Sequence, residues 1–175
     1  MRSFPKIILV GLLTMTACTS SMLTTSPIEV DGMNKSVLVG RDLLIGGQPS
    51  VEALSQLADE GYEVILSTRG EDELSWDERA VVDSLGMRFV SIPIPNPVTG
   101  FTDEQVDLFD EFMNGENGRT VLHCGSGNRV SGLWAVWLVE KEGLSPEEAL
   151  DVAARTGMTG VRPFVERRLG IDPQE

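Results

Sequence analysis

The sequence predicts an α/β fold with a mostly parallel central sheet flanked by helices. Short apolar runs of buried-strand type recur along the chain, and stretches with helical apolar spacing separate most of them. Residues that start and stop helices flank those stretches. In addition, 175 residues with 41% hydrophobic and 23% charged composition suit one globular domain with its own core.

Strands are predicted wherever a short apolar run is bounded by turn residues. The later runs alternate with helical segments, and this alternation favours parallel pairing because a parallel neighbour needs a crossover connection. The predicted strands cover residues 37–39, 43–45, 63–67, 88–94 and 120–123.

Helices are predicted from capping residues followed by apolar stripes. Ser50 caps the first helix, Thr102 opens a later one with acids in its first turn, and Ser145-Pro146 opens another. The helix that follows residue 129 is very apolar, so we expect it to lie in the core. The predicted helices begin near residues 50, 76, 102, 130, 145 and 161.

The first residues have the composition of an export signal. Arg2 and Lys6 precede an apolar run at residues 7–15, which is too short to span a bilayer. Met15-Thr16-Ala17-Cys18 resembles the bacterial lipobox, which predicts a lipid on Cys18. The alternatives are ordinary secretion and a short buried strand or helix.

This interpretation divides the chain into a signal peptide (1–17), a lipid-attached tether (18–35) and a folded domain (36–175). Because Thr19, and not Asp, follows the lipidated residue, we expect sorting to the outer membrane, on the periplasmic side of the cell envelope. The predicted partner is therefore the membrane, which the protein contacts through its N-terminal lipid.

Charge and cysteine content exclude several functions. The net charge is −13, and removal of Arg2 and Lys6 with the signal lowers it to −15, which argues against nucleic-acid binding. With Cys18 lipidated, Cys124 is the only remaining thiol and cannot form an internal disulfide. One His and one free Cys cannot build a metal cluster, so neither a metal nor a cofactor is predicted.

Cys124 lies between a predicted strand and a predicted helix, and residues 124–129 are called the Cys124 loop below. Gly125 and Gly127 allow a tight turn that directs backbone N–H groups inward, and the helix start adds its positive dipole end. Arg129 can hold an oxyanion through two N–H groups, and the same field favours a thiolate. The alternative is a buried, inert cysteine.

The predicted substrate contacts come from the residues of this loop. They are Gly125, Ser126, Gly127, Asn128 and Arg129. His123, the only histidine of the chain, precedes the nucleophile. We therefore expect it to be a structural imidazole that hydrogen-bonds beneath the loop, with proton transfer as the alternative.

Further segments accompany this loop, at residues 46–50, 65–69, 86–93, 102–106 and 121–133. Together they resemble the Cys-dependent protein tyrosine and dual-specificity phosphatase superfamily. They are more closely similar to the bacterial beta-lactamase-hydrolase-like, phosphatase-like family, over about residues 40–170. The resemblance implies a Cys-dependent phosphatase-like fold and a phosphocysteine intermediate at Cys124, with Arg129 and the loop amides holding the phosphate.

Two departures from the superfamily pattern keep other functions open. Four residues separate Cys124 from Arg129, where tyrosine phosphatases have five, and rhodaneses share the shorter spacing. Val130 stands where a Ser or Thr usually assists turnover, and Ser131 follows it. The leading prediction is a cell-envelope hydrolase of a phosphorylated protein or small molecule. The alternatives are a rhodanese-like sulfurtransferase and a non-catalytic phosphate- or phosphopeptide-binding module.

The proton donor is the remaining catalytic role. The resemblance implies an Asp on the loop that follows the strand predicted at residues 88–94. In this sequence Asn96 stands in that loop. Asp103 is the nearest Asp downstream and is predicted as the general acid, with a first-turn helix carboxylate as the alternative. Asp72 and Asp77 are further candidates, and Arg69 is a candidate contact for an anionic substrate.

Overall fold

The computed structural model describes residues 23–95 and 101–171, and the predicted α/β fold is confirmed there. The described strands are β1 (Thr25–Val30), β2 (Met33–Val39), β3 (Leu43–Gly46), β4 (Val64–Ser67), β5 (Arg88–Ser91) and β6 (Thr120–His123). The described helices are α1 (Val51–Asp59), α2 (Glu78–Ser84), α3 (Asp103–Met113), α4 (Asn128–Glu140), α5 (Pro146–Thr156) and α6 (Arg162–Arg168). Within the same ranges, no helix has the length and apolar character needed to cross a membrane.

The described strands form one sheet in the order β1-β2-β3-β6-β4-β5. The first three are antiparallel, whereas β3, β6, β4 and β5 are parallel neighbours. The predicted mostly parallel sheet is therefore correct for its central part. Because parallel strands end at one edge of a sheet, the segments that follow β3, β4, β5 and β6 meet there.

The predicted tether is wrong from residue 25 onward, because β1 and β2 lie in the sheet. The Ser36 hydroxyl donates to the Ile28 carbonyl oxygen at 2.9 Å and accepts from the Val30 N–H at 3.2 Å. Most of β1 is exposed or half-buried. An edge strand of this kind is held by pairing and not by an apolar stripe, so its sequence shows no clear periodicity. The predicted signal peptide and Cys18 lie outside the described residues.

The core has two layers, one on each face of the sheet. On one face α4 is buried along most of its length, and Trp134 and Trp137 are among its largest buried side chains. On the other face α1 and α2 pack against the sheet, with Leu54 and Leu57 fully buried. Since both β6 and α4 lie in the core, the loop between them is anchored at both ends.

Candidate active site

The Cys124 loop connects β6 to α4 through a left-handed turn. Gly127 precedes α4 and has a φ of 82°, a conformation that side chains with a Cβ rarely adopt. A Cβ on Gly127 would lie 3.4 Å from the carbonyl oxygens of Gly46 and Thr156. The glycine that the sequence places here is thus needed for its backbone angle, while an added Cβ would only reach van der Waals contact with these two oxygens.

The segment after β3 braces the Cys124 loop. The Cys124 N–H donates to the Gly46 carbonyl oxygen at 3.4 Å, and the Gln48 N–H donates to the Gly125 carbonyl oxygen at 3.3 Å. Gly47 forms an isolated antiparallel bridge with Ser126. A Cβ on Gly47 would lie 2.7 Å from the Asn34 carbonyl oxygen, so only glycine permits this approach. The backbone of the loop is therefore fixed on one side by the segment after β3, which Asn34 in turn contacts.

Cys124 and Arg129 are brought together, as the sequence predicts. Cys124 is 1% exposed and is the free cysteine of the described residues. The hydrogen-bonded Glu73 carboxylate raises the pKa of Arg129, and the charge and hydrogen bonding of Cys124 act in the same direction. The guanidinium thus lies within interaction range of both the sulfur and a carboxylate.

Glu73 is the site residue that sequence reasoning missed. Its Oε1 accepts from Arg129 Nη1 at 2.7 Å, and its Oε2 accepts from Arg129 Nη2 at 2.5 Å. Arg129 Nη1 also donates to the Ile94 carbonyl oxygen at 2.9 Å. These contacts hold the guanidinium plane in one orientation, which a flexible arginine alone would not keep.

A short 3₁₀ turn at Glu71–Glu73 positions this carboxylate, and the Gly70 N–H donates to its Oε1 at 2.8 Å. The hydrogen bond from Arg129 is the main cause that lowers the pKa of Glu73 to about 2. Glu73 is therefore ionised at neutral and mildly acidic pH. One feature of the sequence could have indicated Glu73. It lies in a polar stretch directly after β4, a parallel strand that ends at the same edge of the sheet as β6.

A layer of buried polar side chains lies between β6 and α2. The fully buried His123 has its Nε2 3.2 Å from Glu78 Oε1, which also accepts from Gln48 Nε2 at 2.5 Å. Arg69 Nη1 donates to Gln48 Oε1 at 3.1 Å, and its Nη2 donates to the Glu73 carbonyl oxygen. This arrangement is consistent with a structural role for His123. It also connects Arg69 to the carboxylate that orients Arg129.

Asp103, the predicted proton donor, is bound elsewhere. Its side chain is 91% exposed, and its Oδ1 accepts from Arg168 Nη2 at 2.9 Å, which links α3 to α6. Asp77 caps α2 by accepting from the Ala80 N–H at 3.0 Å, and Asp72 lies exposed in the 3₁₀ turn. Among the described residues, none of these carboxylates contacts Cys124 or Arg129, and Asn96 lies outside the described ranges.

Two polar residues at the start of α4 serve the fold. Asn128 Oδ1 accepts from the N–H groups of Thr159 at 2.7 Å and Val161 at 3.3 Å, so this side chain braces the turn before α6. The buried Ser131 hydroxyl accepts from Thr156 Oγ1 at 3.0 Å. Gly125 and Ser126 are exposed, which leaves the outer part of the Cys124 loop accessible.

The arrangement combines a cysteine, an exposed glycine-containing loop at the start of a helix, and a fixed cation. Such a site can bind a tetrahedral oxyanion and attack its central atom. No group of His, Cys, Asp and Glu side chains within residues 23–95 and 101–171 is arranged to hold a metal ion.

Comparison with known proteins supports a phosphatase-like fold family. A sequence model described as "DSP-PTPase phosphatase fused to NAD+ Kinase" matches residues 27–163. The beta-lactamase hydrolase-like protein of Xylella fastidiosa (strain Temecula1 / ATCC 700964) is 26% identical over 107 residues, which are 58% of this chain and 24% of that protein. The chain thus spans about a quarter of the length of that relative.

Two solved structures share the fold. TpbA of P. aeruginosa superposes with a TM-score of 0.66 at 17% identity, over 87% of this chain and 98% of that chain. The core catalytic domain of the PP-IP phosphatase SIW14 of S. cerevisiae has a TM-score of 0.65 at 14% identity, over 82% and 88% of the two chains. The likeness extends over most of the described residues of this protein.

Proposed function

The chain belongs to the family described as DSP-PTPase phosphatase fused to NAD+ kinase, and from this premise we propose that it hydrolyses phosphoesters with Cys124 as nucleophile. The observation that carries the proposal is the position of Arg129. Its guanidinium interacts with Cys124 and is held by Glu73 through two hydrogen bonds. A cation fixed before the substrate arrives can stabilise charge on a transferring phosphoryl group without reorganisation.

The proposed reaction has two steps. The Cys124 thiolate attacks phosphorus, the bond to the leaving oxygen breaks, and that oxygen takes a proton from solvent. Water then attacks the phosphocysteine, the phosphorus–sulfur bond breaks with its electron pair returning to sulfur, and inorganic phosphate leaves. The N–H groups of the Cys124 loop and Arg129 hold the three non-bridging oxygens in both steps.

The carboxylates of the site favour substrates with a good leaving group. Glu73 has a pKa of about 2 and is ionised at neutral pH, so it donates no proton while it binds Arg129. The Asp103 carboxylate is bound by Arg168. Aryl phosphates need little protonation of the leaving oxygen, and a Cys-to-Ser variant of the structurally similar TpbA was solved in complex with pTyr. We therefore expect aryl phosphoesters to be better substrates than alkyl ones.

Phosphate release from an aryl phosphate by the purified protein and by Cys124→Ser tests the proposal. We expect release by the wild type, a loss of at least about 10³-fold in the variant, and a phosphocysteine that can be trapped by acid quench. Unchanged release by Cys124→Ser would overturn the mechanism. Thiocyanate formation from thiosulfate and cyanide without phosphate release would instead identify a sulfurtransferase.

One observation favours a non-catalytic binding module as the second candidate. Val130 is buried and has no hydroxyl, while the Ser131 hydroxyl is bound to Thr156. No hydroxyl of these two residues is therefore free to assist breakdown of a phosphocysteine. Inertness toward both substrates, together with retained binding of phosphate or a phosphopeptide, would support this candidate.

We further propose that the protein acts in the bacterial cell envelope, held to the outer membrane by a lipid on Cys18 and facing the periplasm. The support is the short apolar run and the lipobox-like residues that end at Cys18. Mass spectrometry of the protein from bacterial membranes should detect a diacylglyceryl-modified Cys18 as the N-terminal residue. An unmodified N-terminus at Met1 would contradict this location.

A further inference from the structure

A large cavity lies between the hairpin formed by β1 and β2 and the end of α5. Its volume is about 1100 Å³, which is enough to hold a substrate group beyond a single phosphate. On the hairpin side, the Asn34 carbonyl oxygen accepts from the Gly47 N–H at 2.7 Å. On the α5 side, the Thr159 N–H donates to Asn128 Oδ1 at 2.7 Å. Both walls of the cavity therefore touch the Cys124 loop or the segment that braces it.

The strand register places Lys35 of the hairpin in line with the Cys124 loop. The antiparallel register of β2 with β3 continues beyond the end of β3, so Lys35 lies opposite Gly47. Gly47 in turn forms the isolated bridge with Ser126. Because neighbouring strands are about 4.8 Å apart, the Cα atoms of Lys35 and Ser126 are separated by about 10 Å.

The hairpin is irregular at this level. Lys35 has a φ of 51° and is the only residue other than glycine with a positive φ within residues 23–95 and 101–171. Side chains with a Cβ rarely adopt this left-handed conformation. On β1 the register shifts between Ile28 and Val30, and the Ser36 hydroxyl bonds to the backbone of both. Bulges and strained residues are over-represented next to binding and catalytic sites.

Lys35 is also available to a ligand. It lines the cavity, is exposed, and makes no hydrogen bond, ion pair or ring contact with the part of the chain that the structure describes. The other charged residues of the lining are Glu29, Asp31 and Arg155. Arg155 is paired with an acid of its own helix, Glu29 lies one strand further from the Cys124 loop, and Asp31 lies in the hairpin turn. Of the three unpaired charges, Lys35 is therefore the nearest to that loop.

We propose that Lys35 binds a second acidic group of the substrate, such as a carboxylate, while the Cys124 loop holds the phosphate. This inference rests on the proposed phosphatase function, and it specifies the substrate class as phosphomonoesters that carry a further anionic group. The flexible stem of a lysine allows its ammonium to reach a group bound beside the phosphate. In a chain with a net charge of −13, this cation offsets the repulsion that such a substrate would otherwise meet.

Equilibrium binding of two phosphonates tests the inference without turnover. 4-Carboxybenzylphosphonate and 4-carbamoylbenzylphosphonate have nearly the same size and differ by one negative charge. In calorimetry on the full chain at low ionic strength, we expect the carboxylate to bind about fivefold more tightly. The preference should disappear in Lys35→Asn, because asparagine tolerates the left-handed backbone and carries no charge. It should persist in Lys35→Arg.

Arg41→Asn is the matched control, because Arg41 is also exposed and unpaired within the described ranges but precedes β3 at the opposite edge of the sheet. It removes the same charge and should keep the preference. Absence of phosphonate binding, equal binding of the two by the wild type, or a preference that survives in Lys35→Asn would overturn the inference. A preference that depends on Lys35 without any phosphate release from aryl phosphates would support Lys35 as a ligand contact and overturn the proposed hydrolysis alone.

Discussion

The Cys124 loop and the loop after β4 (residues 68–77, the β4 loop) meet at the same edge of the sheet, but they are built differently. The Cys124 loop is shaped by its backbone, through the positive φ of Gly127 and the hydrogen bonds to Gly46 and Gln48. The β4 loop contributes charged side chains, of which Glu73 binds Arg129. In the proposed mechanism, the Cys124 loop provides the oxyanion site, and the β4 loop fixes the cation that completes it. Variants that separate these contributions test the comparison.

Among these variants, the largest effect is expected at Arg129, where the two loops meet. Lysine keeps the positive charge but cannot donate two parallel hydrogen bonds, so Arg129→Lys should lower kcat/KM on an aryl phosphate by about 10²- to 10³-fold. Arg119→Lys is a matched control, because Arg119 precedes β6 and therefore lies at the opposite edge of the sheet. Its guanidinium carbon lies 4.1 Å from the centroid of the Tyr62 ring. Equal kinetics for the two variants would show that the guanidinium has no special role.

Gly127→Ala tests the backbone contribution of the Cys124 loop. We expect a loss of about 1 kcal/mol in the free energy of unfolding, because φ is 82° and the new Cβ would only reach van der Waals contact with two carbonyl oxygens, at 3.4 Å. Gly143→Ala is the control, since φ is 73° there and no heavy atom lies within 4 Å of the added Cβ. It should lose a similar amount, about 1 kcal/mol, from the backbone angle alone. Urea denaturation of both variants compares the two losses, and a clearly larger loss in Gly127→Ala would contradict an effect of the backbone angle alone.

Glu73→Gln tests the charged contribution of the β4 loop. The amide cannot accept both Arg129 hydrogen bonds, so the guanidinium should lose its fixed orientation, and kcat should fall about tenfold with little change in KM. Glu71→Gln, in the same 3₁₀ turn, is the matched control and should retain wild-type kcat. A rise in KM without a change in kcat would indicate that Glu73 affects substrate binding only.

The same comparison explains how much of the site could be predicted from the sequence. The Cys124 loop is a local feature in which strand, glycines, arginine and helix follow one another, so its position could be predicted directly. Asn128 is local as well, but its side chain is used by the distant Thr159 and Val161. Spacing along the chain does not predict such a long-range partner.

The β4 loop could not be predicted in the same way. Glu73 is 56 residues from Arg129 in sequence, and only the parallel pairing of β4 with β6 brings the two loops to one edge. The expected proton donor, Asp103, has the sequence position of a general acid, but Arg168 binds it instead. Similarly, β1 resembles a tether in sequence because its stability comes from pairing with β2 and not from its own apolar pattern.

The smallest expected effect is the pH dependence that Glu73 gives to stability. Its pKa is lowered to about 2 in the folded protein by Arg129, whereas an unfolded glutamate titrates near 4.3. Because the folded state holds its proton less tightly, the stabilisation is fully present above about pH 5 and is lost as the pH falls toward 2. A third of the side chain is exposed, so solvent screening reduces the contribution to about 1 kcal/mol. Urea denaturation should therefore show wild type more stable than Glu73→Gln at pH 6, with the difference shrinking by pH 3. A difference that is equal at both pH values would show that the ion pair between the two loops does not contribute to folding.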